Sequence, residues 1–142
     1  MIVFLDFDGV VHGVSQDPFN EECILHIEAC VAEHCGQIVI ISSWKDELPP
    51  DTLVRRLRAI GARVIGACGE ERPFTRVPGE QLVDEWLREN EYDGPWLALD
   101  DNPTWYGRHQ QRVLATTPKT GFTAADVPRF RALAKAIKAG EL

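Results

Sequence analysis

The strongest constraint on the fold is an alternation: apolar runs of strand length take turns along the chain with amphipathic stretches of helix length. The runs are Met1-Ile-Val-Phe-Leu at the start, then Gln37–Ile41, a shorter Arg63–Ala67, Trp96–Leu99 and Val113–Ala115. They are rich in β-branched residues, with aromatic side chains in two of them, and too short to span a membrane, so they read as buried strands. Parallel strands need crossovers long enough to hold a helix, and the intervals here are of that length. The expected architecture is α/β: one three-layer, Rossmann-like domain over residues 1–142, with a parallel sheet of about five strands and helices on both faces.

The helices announce themselves by spacing and punctuation. Asn20 can cap a helix running to about Cys35, with Ile24, Ile27 and Val31 on one face and Gly36 at its end. Pro49 and Pro50 start a second, whose buried face is Leu53, Leu57 and Ile60 and which Gly61 closes. Residues 68–78 read as a loop, and the next helix, reaching about Asn90, turns Leu82, Val83, Trp86 and Leu87 inward. Thr123 and Asp126 have the spacing of a capping box, ahead of a stripe formed by Val127, Phe130, Leu133 and Ile137.

The chain has the size of one domain, with ordinary apolar (44%) and charged (26%) fractions that give no sign of disorder. A net charge of −7 argues against a broad nucleic-acid-binding surface or an anionic membrane as partner. Cys23, Cys30, Cys35 and Cys68 contain no Cys-x-x-Cys pair and have no matching histidine spacing, so they read as buried thiols of a reduced compartment. With no basic start, apolar signal core or cleavage site, a cytoplasmic location is expected.

The polar residues fall at the ends of the strands. The first strand closes in Asp6-Phe7-Asp8-Gly9, the second in Ser42, and the fourth in Asp100-Asp101. All lie at the carboxyl edge of the expected sheet, where open parallel sheets bind their ligands. Alternation puts Asp6 and Asp8 on one side, and Gly9 lets the backbone turn and leaves room for a ligand. Carboxylates this close repel unless a proton or a hard divalent cation with oxygen ligands compensates.

These motifs resemble those of the haloacid dehalogenase (HAD) superfamily. Asp6-Phe7-Asp8-Gly9-Val10 matches its first motif, Ile38-Val39-Ile40-Ile41-Ser42 its second, and Leu97-Ala98-Leu99-Asp100-Asp101 its acidic fourth. Within the superfamily, Ser42-Ser43-Trp44, the Asp100-Asp101 pair and Lys119-Thr120-Gly121-Phe122-Thr123 are similar to the small HAD domains of Swiss Army knife RNA repair proteins. The resemblance implies a magnesium-dependent phosphatase working through an aspartyl-phosphate. Asp6 would be the nucleophile and Asp8 the acid and base. Metal would be held by Asp6, the main-chain carbonyl of Asp8, and Asp100 or Asp101, while Gly9, Ser42 and Ser43 would contact substrate.

Two positions depart from the superfamily pattern. No lysine lies between Lys45 and Lys119 to serve as the third motif, and Arg76, with Arg72 in reserve, stands where it would be. Trp105 occupies a position where a further aspartate is often found. A HAD-like domain that binds a phosphorylated partner without turnover is the alternative reading. A two-component receiver domain is disfavoured, because its phosphate-accepting aspartate would have to end the third strand, where Cys68-Gly69 stand. Neither 10–37 nor 68–79 has room for a cap domain, so an open site and a large phosphorylated substrate, a nucleic-acid end or a phosphoprotein, are expected. His12, in the loop after the first strand, is expected in a structural role rather than beside a leaving group.

Overall fold

The computed structural model describes residues 1–42, 47–69 and 77–142. Five strands form one parallel sheet: β1 (Ile2–Leu5), β2 (Gln37–Ile40), β3 (Val64–Ala67), β4 (Trp96–Asp100) and β5 (Val113–Ala115). Their order is β3-β2-β1-β4-β5. The chain builds outward from β1 on one side through β2 and β3, then crosses to the other side for β4 and β5. The reversal of direction therefore lies between β1 and β4, where a crevice opens at the carboxyl ends of the strands.

Central position explains why β1 is apolar at every residue. Each of its four side chains is buried, with Val3, Phe4 and Leu5 wholly so. Its odd members pack with α1 (Glu21–Glu33), α2 (Pro50–Arg56) and α4 (Asp126–Lys138). Its even members, Ile2 and Phe4, pack with α3 (Gly79–Glu89) and with Tyr106 from a 3-10 segment at Pro103–Arg112. Burial of each such side chain stabilises by roughly 1.5–3 kcal/mol, which anchors the strand that carries the first acidic residues. By contrast β3 is an edge strand, and its residues alternate between half-buried and exposed.

Helix ends follow the expected local chemistry, with three differences. The Asn20 side chain accepts a hydrogen bond from the Cys23 amide at 3.0 Å, as a cap should. However, α1 stops at Glu33, and Cys35 takes a left-handed turn (φ 50°) that leaves its side chain exposed while Cys23, Cys30 and Cys68 are buried. The single helix expected from Pro50 to Gly61 is broken. After α2 ends, Arg58 adopts φ 53° and a 3-10 segment follows over Arg58–Arg63. Leu53, Leu57 and Ile60 are all buried as expected. Beyond the break the Gly61 backbone closes onto the Val54 carbonyl, an approach that a side chain at 61 would block. The Thr123–Asp126 pair forms through the Asp126 carboxylate, which accepts from the Thr123 amide at 3.0 Å. This turn precedes α4, and Asp126 begins the helix itself.

Among the described residues, no strand or helix is inserted between β1 and α1 or between β3 and α3. The described parts of these intervals hold no cap, as expected. Nor is any described helix long and apolar enough to cross a membrane.

Candidate active site

Register brings the acidic residues together. Leu5 pairs with Leu99 across β1 and β4, and the ladder continues as the Asp6 amide donates to the Leu99 carbonyl at 3.1 Å. One step further along, Asp6 and Asp100 are neighbours although 94 positions apart in the chain. Asp6, Asp100 and Asp101 each offer a carboxylate oxygen, and these oxygens lie within 4.8 Å of one another. At that separation two ionised carboxylates repel by roughly 3–4 kcal/mol at an effective dielectric constant of about 20. The cluster therefore calls for a proton or a cation.

The protonation tendencies say the same. Burial, then the Asp100 charge, pushes Asp6 up to about 8. Burial and Asp101 raise Asp100 to about 6, against the opposing pull of hydrogen bonds from the Asn102 amide and the Tyr106 hydroxyl. Those bonds, 2.9 Å to Oδ1 and 2.8 Å to Oδ2, fix the Asp100 carboxyl in one orientation. Tyr106 is wholly buried, and its phenol is pushed well above the ordinary range by burial and by Asp100, so it remains a donor. Tyr106 escaped the sequence reading because a tyrosine six residues after an aspartate has no defined relation to it until the 3-10 segment folds back under β4.

Asp8 stands apart from this cluster. Its side chain is 58% exposed, and its Oδ1 lies 2.7 Å from Nε2 of His12, whose ring is buried. Gly9, at φ 78°, has the Asp101 carboxylate lying where a β-carbon would project. The N–H groups of Gly9, Val10 and Val11 donate to the carbonyls of His12 and Phe7 in this same loop, so Gly9 serves the site through its lack of a side chain. Gly9→Ala is expected to lower stability by about 2 kcal/mol or more, from the left-handed backbone and the collision with Asp101. It should also blunt any rise in melting temperature on adding Mg²⁺. Chemical denaturation and thermal melts with and without Mg²⁺ check both.

The loop after β1 is braced from across the sheet. Thr116, next after β5, donates its hydroxyl to the Gly9 carbonyl at 2.5 Å and its amide to the Asp100 carbonyl at 3.1 Å. The Val14 amide reaches the Pro118 carbonyl, and the Phe122 amide reaches that of Val10. The Lys119–Phe122 stretch thus earns its place by lacing the loop that carries Asp8, with Gly13 packed on the Lys119 carbonyl and Gly121 on that of Val10.

Ser42 is buried, two residues beyond β2 at the same sheet edge as Asp6. Trp105 packs edge-on against Tyr106, with ring centroids 5.6 Å apart, and beside Gly79, so it is half-buried against the core beneath α3. Ser43, Trp44, Arg72 and Arg76 lie outside the described residues.

A comparison with curated proteins returned no match. The family model for the HAD domain in Swiss Army Knife RNA repair proteins matches residues 2–127. The matched span runs from the first residue of β1 into the first turn of α4 and takes in all five strands and every acidic group of the site. The chain therefore belongs to this family of HAD domains, whose chemistry is phosphohydrolase-related.

Proposed function

We propose that the protein is a magnesium-dependent phosphomonoesterase, working through an aspartyl-phosphate on Asp6 and acting on a large phosphorylated substrate. The observation that carries this reading is the meeting of Asp6, Asp100 and Asp101 at one end of the sheet, beside the exposed carboxylate of Asp8. The donor set is all oxygen and multiply charged, which suits a hard divalent cation. Asp6, Asp100 and Asp101 would hold it, with the Asp8 carbonyl as a further oxygen. When bound, Mg²⁺ supplies the positive charge that lets a carboxylate approach a phosphate dianion.

The protein's own residues divide the remaining work. Asp6 attacks phosphorus in line, and the bond to the leaving oxygen breaks as Asp8 gives that oxygen a proton. Asp8, now ionised, takes a proton from the water that attacks the phospho-enzyme. The Asp6–phosphorus bond then breaks and inorganic phosphate leaves. The Ser42 hydroxyl is the side-chain donor at hand for the transferring group.

Substrate size follows from the short intervals after β1 and β3. With no cap to close over a small metabolite and exclude water, the substrate itself must cover the site, which favours a phosphorylated nucleic-acid end or a phosphoprotein.

The test is a phosphatase panel run in Mg²⁺ and in chelator. Turnover is expected only with the cation, with kcat/KM for a phosphorylated oligonucleotide or phosphopeptide above that for a mononucleotide or sugar phosphate. Asp8→Asn should accumulate phospho-enzyme, because the water that resolves it has lost its base. Full activity in chelator would overturn the reading. Tight binding of phosphorylated ligands with no turnover in Mg²⁺ would replace it with that of a binding module.

A further inference from the structure

Asp8 has to present one oxygen to the leaving group and later to water, yet its side chain is more than half exposed. An exposed aspartate samples several rotamers, so something must hold it. We infer that His12 is a positioning residue for Asp8: with Nδ1 occupied as the acceptor of the Phe19 amide, its Nε2–H donates to Asp8 Oδ1 and fixes the orientation of that carboxyl group. The kinetic part of this inference rests on the proposed phosphoryl transfer, and its spectroscopic part does not.

The tautomer follows from what surrounds the ring. His12 is 3% exposed, and its Nδ1 accepts the Phe19 amide N–H at 3.2 Å. A nitrogen that accepts an N–H carries a lone pair, so the ring proton is on Nε2. That nitrogen faces Asp8 Oδ1 at 2.7 Å, within the range of a charge-assisted hydrogen bond. The same arrangement, one ring nitrogen fixed so that the other has a defined role, sets histidine orientation in metal and hydrolase sites.

The backbone is bent to make this contact. Phe19 adopts φ 62°, a conformation that bulky residues rarely take. It is held there by burial, by the Phe7 ring at 5.6 Å and by the Arg56 guanidinium 4.7 Å from its ring centroid. The next residue, Asn20, donates its amide to Val11 and caps α1. Strain maintained by so many contacts clusters at functional sites, and here it aims the Phe19 N–H at His12. The Gly9 amide also donates to the His12 carbonyl at 2.9 Å, closing the turn between Asp8 and His12 on itself.

Two substitutions separate positioning of Asp8 from support of the loop. His12→Gln keeps an N–H donor near the position of Nε2 but removes the acceptor for Phe19. His12→Asn keeps an acceptor near Nδ1 but removes the donor to Asp8. Positioning predicts a fall in kcat of roughly tenfold to hundredfold for His12→Asn, with KM little changed. It also predicts recovery of most of that loss in His12→Gln and no further loss when His12→Asn is added to Asp8→Asn. Equal losses in the two variants, or full additivity with Asp8→Asn, would overturn it. Nitrogen-15 NMR of the wild type should show His12 protonated at Nε2, with that resonance moving in Asp8→Ala. A proton on Nδ1, or an Nε2 resonance indifferent to Asp8→Ala, overturns the inference by itself. If the wild type hydrolyses no phosphomonoester, the proposed function fails and the spectra still decide whether His12 holds Asp8.

Discussion

Asp6→Asn is expected to remove phosphatase turnover by about 10⁴-fold or more while leaving a folded protein that, in chelator at pH 8, melts at a higher temperature than the wild type. The activity loss follows from the attacking role proposed for Asp6, since removing a nucleophile from a site that works by covalent catalysis costs about this much or more. The gain in stability follows from its surroundings. Burial and the Asp100 charge hold Asp6 at about 8, so the folded state resists its ionisation and an uncharged amide of nearly the same shape relieves that cost. At pH 5 the wild-type carboxyl is already protonated, and the two proteins should melt alike. Activity retained in Asp6→Asn would assign the nucleophile elsewhere. A melting temperature below that of the wild type at pH 8 would show that the cluster is not strained by its own charge.

The second large effect is on the wild type itself. In chelator its melting temperature should fall by on the order of 10 °C between pH 5 and pH 8, and Mg²⁺ should reverse most of that fall. The sign comes from linkage. Asp6 and Asp100 have folded-state values, about 8 and about 6, above the ordinary 3.8. Over the interval between, the folded protein binds more protons than the unfolded chain, so stability is fully present below about pH 4 and is lost as pH rises through these values. Asp84 and Glu33 are lowered groups whose contribution is lost only as pH falls below the ordinary carboxylate range, outside this window. His34, held below the ordinary histidine range by burial and Lys138, works in the opposite direction, adding stability as pH rises. The slope difference between wild type and Asp6→Asn cancels its effect. Because a cation competes with protons for the same oxygens, stabilisation by Mg²⁺ should be larger at pH 8 than at pH 5. Thermal melts at the two pH values, with chelator and with Mg²⁺, measure all of this. A wild-type melting temperature that rises with pH in chelator, or that ignores Mg²⁺ at pH 8, would contradict it.

How far the sequence could be read depended on the range of the interactions involved. Strands were legible because a buried parallel strand is apolar at consecutive positions, a local property that Ile2–Leu5 and Trp96–Leu99 display openly. The acidic residues were legible because each is the first polar side chain where an apolar run ends, and the ends of parallel strands all face one way. The helix caps at Asn20 and the Thr123–Asp126 turn were also local, fixed by contacts three residues apart. By itself, then, the sequence determined the layered α/β architecture, the edge of the sheet at which the acidic residues gather, and which carboxylates stand there. Only the tertiary structure decided which of them meet. Strand order and register set Asp6 beside Asp100, a pairing of residues 94 apart that no local pattern encodes. Asp8 turned away towards His12 because the loop after β1 closes on itself and is laced down by residues 116–122. Tyr106 reached Asp100 because a 3-10 segment folds back beneath β4, and the expected helix at 50–61 breaks at Arg58, whose left-handed backbone brings Gly61 against the Val54 carbonyl. Each of these depends on groups brought together by packing from distant parts of the chain or by the path of an irregular loop, and neither is encoded in the periodicity of any one segment.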